Sequence, residues 1–181
     1  MIKIATIEDE ENIRQEIVRY IKKGIGSIEG VEVDVYESAE RYLLVGGRYD
    51  LVISDIELPG ISGLELGKRI KENNPDVYLV FLTSHSEFAS ESYIIEAYQY
   101  ILKRDMKERL PAVLQKIYQE KQKESQNFFW IGGVTDQRKL YHKDIICIRK
   151  VKGQKYVEFV MVNGAYKERL ALHQIFEDLK S

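Results

Sequence analysis

The sequence predicts an α/β fold: a doubly wound parallel sheet of five βα units, followed by a small, mostly-β unit. Three observations predict it. Short apolar runs alternate five times with segments of helical length, as in strands joined by crossover helices. Four of the runs end on polar residues: Ile2–Ile7 on Glu8 and Asp9, Leu51–Ser54 on Asp55, Tyr78–Leu82 on Thr83, and Tyr100–Leu102 on Lys103. From Phe128 the pattern changes to short strands and tight turns.

Ile2–Ile7 reads as a buried strand. Glu11–Lys23 places Ile13, Ile17, Tyr20 and Ile21 on one helical face, and Gly24 and Gly26 are expected to end that helix. Val31, Val33 and Val35 alternate with acids, as in a half-exposed strand. Ser38 can cap a short helix through Leu44, which Gly46-Gly47 closes ahead of the strand Leu51–Asp55. Pro59-Gly60 marks a turn before a helix over Leu64–Asn73, ended by Asn74-Pro75. Val77–Thr83 is the next strand, Glu87–Ala97 the fourth helix and Tyr98–Lys103 the last strand. A turn over Asp105–Leu110 leads to a fifth helix from Pro111, because proline suits a first helical turn and kinks an interior. The apolar face of that helix (Val113, Leu114, Ile117, Tyr118) gives out by Gln119. The expected domains are therefore 1–122, a polar linker at 123–127, and 128–181. In the last, FFWI, IICIRKV and YVEFVMV are strands and KGQK is a turn. Asn163-Gly164 is a strong hairpin signal, AYKERLAL the returning strand and HQIFEDLK a helix.

At 181 residues the chain holds one good core, or one domain and a fragment. With 44% hydrophobic and 31% charged residues it has the composition of a soluble globular protein, and no apolar run approaches the ~20 residues of a membrane span. The N-terminus turns acidic too soon for a signal peptide. The single cysteine, Cys147, cannot form an intrachain disulfide and is expected to be a small buried apolar residue. Together these point to the cytoplasm. Residues 126–181 carry ten Lys and Arg against six Asp and Glu, which makes the tail +4 and, from a total of −2, the front −6. Such asymmetry suggests two units with different partners.

If the four runs are parallel strands, their polar ends meet at the carboxyl edge, where open α/β sheets bind ligands. Oxygen ligands suit a hard cation such as Mg²⁺, and a lysine and a hydroxyl beside it suit a phosphoryl group. Glu8 and Asp9 can both reach a cation only if the chain leaves the strand there; otherwise they are helix N-terminal charge, as Glu10 and Glu11 are. Asp55 alone would read as an ordinary strand-to-loop aspartate, but it has partners at three other strand ends. The backbone carbonyl of Glu57 is a further candidate oxygen ligand. Thr83 and Ser84 could simply satisfy loop backbone, and Tyr100 could be a half-buried strand aromatic. Lys103 pointing into an acidic cluster would pair with it.

Residues 1–122 resemble the receiver domain of two-component response regulators, a flavodoxin-like (βα)5 family. The resemblance rests on Glu8-Asp9, on SDIELPGISG around Asp55, on FLTS at Thr83 and on YQYILK at Lys103. It implies that Asp55 is the phosphoacceptor, Asp9 a direct Mg²⁺ ligand and Glu8 a ligand through water. It also implies that Lys103 pairs with the phosphoryl group, that Thr83 moves to it and that Tyr100 is the switch aromatic. Two positions depart from the pattern. The first acid is Glu8 where Asp is common, and Arg104 replaces the usual proline after Lys103. A cis bond there would cost about 2.5–4 kcal/mol, so the family's loop geometry does not carry over. The run HKDIICIRKVKGQKYVEFVMVNGAYKERLALHQIFEDL resembles part of the LytTR family of DNA-binding domains, roughly its first half. A partial domain is expected from that resemblance, in a chain either truncated or naturally short, with Lys152 and Lys155 as candidate DNA contacts.

The resemblance implies a response regulator that takes a phosphoryl group from a separate sensor histidine kinase and switches a transcriptional output. It acts on no substrate of its own beyond slow self-catalysed phosphorylation and dephosphorylation. Homodimerisation on phosphorylation is expected through the fourth helix, last strand and fifth helix. There Asp76, Glu87, Glu91 and Glu96 would face Lys103, Arg104, Lys107 and Arg109. The alternative is a receiver that works by protein–protein contact alone, with no DNA-binding output. A phosphohydrolase would use Glu57 as second acid, but Leu-Pro-Gly follows instead of the small hydroxyl pattern. A flavin role is disfavoured by the acidic first loop.

Overall fold

The computed structural model describes residues 2–25, 30–132, 137–150, 153–169 and 175. The chain forms two compact units, Met1–Gln119 and Glu120–Ser181. In the first, β1 (Ile2–Ile7), β2 (Val31–Tyr36), β3 (Leu51–Ser54), β4 (Tyr78–Thr83) and β5 (Gln99–Leu102) form one sheet in the order β2-β1-β3-β4-β5. Every pairing is parallel. The helices are α1 (Glu11–Ile25), α2 (Ala39–Val45), α3 (Gly63–Asn73), α4 (Ala89–Ile94) and α5 (Met106–Gln126). This is the doubly wound flavodoxin-like order, whose chain reverses direction between β1 and β3.

Strand alternation builds two cores. Ile4 of β1, Ile53 of β3 and Val80 and Leu82 of β4 pack with Ile17 and Ile21 of α1 and Leu110, Leu114 and Ile117 of α5. Ala5 and Ile7, Val52, Leu79 and Phe81 face the other way, against Tyr42 of α2 and Leu66 and Ile70 of α3. The central strands are buried on both faces, which is why they read as unbroken apolar runs.

Several boundaries differ from those the sequence suggests. Helix α1 runs through Gly24 to Ile25. A Cβ on Gly24 would lie 2.9 Å from Pro111 Cα, so this glycine lets α1 and α5 approach closely. Helix α5 begins at Met106 and carries Pro111 inside it; a 3-10 turn over Lys103–Asp105 replaces the expected Asp105–Leu110 turn. Residues 123–126, expected as linker, continue α5, because glutamine, glutamate and lysine favour helix even where no apolar face remains.

Helix α4 is shorter than the expected 87–97. It ends in a Schellman motif: Ala97 N–H donates to Ser92 O (3.0 Å) and Glu96 N–H to Tyr93 O (3.0 Å). Glu96 occupies the left-handed position of that motif at φ 59°, where glycine is usual.

The second unit holds an antiparallel pair, β6 (Phe128–Ile131) and β7 (Arg138–Tyr141). It also holds an antiparallel sheet ordered β10-β9-β8, from β8 (Ile145–Arg149), β9 (Val157–Met161) and β10 (Gly164–Glu168). Phe129, Ile131, Leu140, Val157, Phe159 and Ile175 form its core. The β9–β10 hairpin pairs Met161 with Gly164, so its two-residue loop is Val162-Asn163 and Gly164 opens the return strand. Cys147 is exposed, contrary to expectation, because the register shifts between Ile145 and Cys147. Lys152 and, apart from Ile175, the expected helix HQIFEDLK lie outside the described residues.

Relieving the left-handed backbone at Glu96 should stabilise the first unit. Glu96→Gly is expected to raise unfolding free energy by about 0.5–1 kcal/mol in urea titrations. An unchanged or lower midpoint would show that the residue is not strained.

Candidate functional site

β1 and β3 are neighbours in the sheet and the chain turns opposite ways after them, which opens a crevice at their carboxyl ends. Glu8 and Asp9 leave β1 there, Asp55 leaves β3, and Lys103 follows β5. One carboxylate oxygen from each of Glu8, Asp9 and Asp55 lies within 4.8 Å of the others. Glu8 and Asp55 are buried and Asp9 is exposed. The side chain of Glu8 is 0% exposed and that of Lys103 12%.

Lys103 bridges the two buried acids. Its Nζ donates to Asp55 Oδ2 at 2.7 Å and to Glu8 Oε1 at 3.0 Å. Glu8 Oε2 is 2.9 Å from the same nitrogen but has no hydrogen bond. Glu10 Oε1 adds a longer ion pair to Lys103 at 3.6 Å. The other oxygen of Asp55, Oδ1, accepts from the amides of Ile56 (2.6 Å) and Glu57 (3.4 Å), which turn the chain over it.

Burial raises the Glu8 pKa from 4.5 to about 7. The Lys103 hydrogen bond opposes that rise and the charge of Asp55 adds to it. Burial disfavours the Lys103 ammonium, but its bonds to Asp55 and Glu8 outweigh that and hold its pKa above the usual lysine value. Three clustered carboxylates against one ammonium leave an excess of two negative charges when all are ionised. Hard oxygen donors with that excess, and with a buried Glu8 oxygen that accepts no hydrogen bond, fit a divalent cation such as Mg²⁺.

The loop after β3 is shaped by glycines. A Cβ on Gly63 would collide with the carbonyl of Asp55, so only glycine lets α3 start this close to the strand end. Gly60 has φ 79°, and beside it Glu40 of α2 accepts the Ile61 amide at 2.8 Å. Ser62 then caps α3 through the amide of Glu65.

The structure brings Glu8, Asp9, Asp55 and Lys103 together. Thr83 and Tyr100 meet at a different residue, His85. The Thr83 hydroxyl accepts the His85 amide (3.3 Å), and the Tyr100 hydroxyl donates to the His85 carbonyl. The His85 ring lies 2.7 Å from Glu57 and 2.9 Å from Glu87, so it ties the loops after β3 and β4 together. The bond to Glu87 raises the pKa of His85; desolvation opposes that rise, and the charges of Glu57 and Glu87 add to it. Glu57 and Asp9 line one cleft of about 460 Å³ with Ile56, Leu58, Pro59 and Phe88. Lys155 is exposed on the turn after Gly153. Lys103 faces the acids and Glu87 faces His85, so neither belongs to the charged face expected of the fourth and fifth helices.

Sequence reasoning missed His85, Glu40 and Arg14, and placed Glu87 on a dimer face rather than beside His85. Arg14 Nη1 donates to the carbonyls of Glu8 (2.7 Å) and Asp9 (2.6 Å). Both partners are backbone carbonyls, which no spacing in the sequence reports.

A family model described as the response regulator receiver domain matches residues 4–115. The sensory transduction protein LytT of Bacillus cereus is 30% identical over 144 residues, covering 79% of this chain and 57% of LytT. The transcriptional regulatory protein LytR of Staphylococcus aureus is 29% identical over 128 residues, covering 70% of this chain and 51% of LytR. The chain thus spans about half the length of the curated relatives it matches. Among solved structures, the Thermotoga maritima response regulator TrrA in complex with Mg²⁺-BeF is 35% identical at a TM-score of 0.55. The match covers 65% of this chain and 99% of that one.

The raised Glu8 pKa has a stability consequence without metal. The folded state holds a proton that the unfolded chain releases above about 4.5. That contribution is complete below pH 4.5 and is lost as pH rises through about 7. With divalent cations chelated, the melting temperature of Glu8→Gln should exceed that of the unsubstituted chain at pH 8, and the gap should shrink toward pH 4. A gap independent of pH would contradict the buried-acid reading.

Proposed function

The chain belongs to the response regulator receiver family of two-component systems, and we propose that Asp55 is its phosphoacceptor, supplied by the phosphohistidine of a sensor kinase. The carrying observation is the placement of Asp55. One oxygen is held by loop amides and the other by Lys103, beside an acid pair from the neighbouring strand. A carboxylate oxygen of Asp55 attacks phosphorus, the P–N bond breaks, and its electron pair stays on the imidazole nitrogen, which then takes a proton.

Glu8, Asp9 and Asp55 would hold Mg²⁺, with Glu8 as a ligand through water and the Glu57 carbonyl as a further oxygen. When bound, the cation neutralises charge on the transferring phosphoryl group. Lys103 stays charged throughout and shifts from the carboxylate to a phosphoryl oxygen. Thr83 gives up the His85 amide to bond the phosphoryl group. Because Tyr100 bonds the same residue's carbonyl, that movement reaches β5 through His85. The chain turns over no other substrate, and its self-catalysed phosphorylation and dephosphorylation are slow.

The output is transcriptional, through DNA contacts of the β-rich unit, and phosphorylation promotes a homodimer; the protein works in the cytoplasm. No helix among the described residues is long and apolar enough to cross a membrane. Relatives of this chain are transcriptional regulators by name, which supports a DNA-binding output over one limited to protein contact.

Incubation with a small phosphodonor and Mg²⁺ should add one phosphate by intact mass, and Asp55→Asn should abolish the addition. Equal labelling of Asp55→Asn would sink the assignment. On duplex DNA the chain should bind weakly through phosphates, losing most affinity between 50 and 200 mM salt. Lys155→Glu should weaken that binding on every sequence alike; a loss confined to one sequence would mean that Lys155 reads bases.

A further inference from the structure

We propose that Arg14 is a positioning residue for the cation site, holding the turn by which Glu8 and Asp9 can face one ion. The inference rests on the site's proposed role as an Mg²⁺-dependent phosphoacceptor.

Adjacent residues of a strand point to opposite faces, so two consecutive acids share a ligand only if the backbone turns between them. Here it turns directly after β1, ahead of α1, and the peptide units there must be fixed by something outside the strand ladder. Arg14 supplies that. Its Nη1 has two N–H bonds, and it donates to the carbonyls of Glu8 (2.7 Å) and Asp9 (2.6 Å). The peptide unit joining Asp9 to Glu10 is then held at both ends. Arg14 takes its carbonyl, and its amide donates to Glu8 Oε1 at 3.3 Å. Through that amide Arg14 helps orient the Glu8 carboxylate as well as the backbone. A lysine ammonium can also donate to two carbonyls, but it lacks the guanidinium's fixed plane and holds them less firmly.

The guanidinium bonds carbonyls and has no ion pair to the three acids among the described contacts. This separates positioning from charge by the sign of one effect. A cation near an acidic cluster opposes Mg²⁺ binding by repulsion, so if Arg14 acted by charge alone, its removal would tighten binding. If it acts by holding the turn, removal loosens the ligands and weakens binding.

Calorimetric titration with MgCl₂, on the full chain, tests this. Arg14→Gln should bind Mg²⁺ roughly tenfold more weakly than the unsubstituted chain, in the range seen when outer partners of metal ligands are removed. Arg14→Lys, which keeps the charge, should also bind more weakly, though less so than Gln. Affinity unchanged or raised in Arg14→Gln, with normal binding by the unsubstituted chain, would overturn the role of Arg14 and leave the site's reading intact. If instead the unsubstituted chain binds no better than Asp9→Ala, the site's reading fails and this inference falls with it.

Discussion

The structure turns on negative charge buried at one edge of a parallel sheet. Glu8 and Asp55 are both withdrawn from water, and a single ammonium, Lys103, lies between them. An isolated buried carboxylate is costly; a paired one is tolerable. With two acids and one base in the enclosure, the balance closes in one of two ways. A proton settles on Glu8, which its raised pKa allows near neutrality, or a cation enters beside Asp9. The site is therefore held short of charge balance by its own fold, and its oxygen donors fit a divalent ion that would complete it.

Much of the surrounding architecture maintains that arrangement. The double-faced cores fix β1, β3 and β5 rigidly enough to set three side chains within ångströms of one another. Gly63 lets α3 start against the Asp55 carbonyl, and Glu40 holds the same loop from α2. Beyond the acids, His85 joins Thr83, Tyr100, Glu57 and Glu87. Thr83 thus has a continuous hydrogen-bonded path to Tyr100 of β5 through the amide and carbonyl of His85.

The sheet and the central residues were legible because they follow from periodicity. Parallel strands put their carboxyl ends on one edge, so polar residues that close apolar runs gather there without any contact being known. Glu8, Asp9, Asp55 and Lys103 are of this kind. Arg14 and His85 were not legible, because they work through backbone carbonyls, amides or loop acids whose positions no spacing reports. Gly24 was misread as a helix end for a similar reason: its partner, Pro111, lies on a distant helix. Cys147 was misplaced by a register shift that alternation cannot foresee. Residues 123–126 read as a linker because they carry no apolar face, and helix propensity continues α5 through them.

The central claim is that the buried Glu8 carboxyl trades a proton for a cation. Its side-chain carboxyl carbon, followed by nuclear magnetic resonance across pH, reports this directly. In metal-free protein the account predicts a midpoint near 7, and in saturating Mg²⁺ a midpoint below the usual 4.5. The same midpoint in both conditions would contradict it.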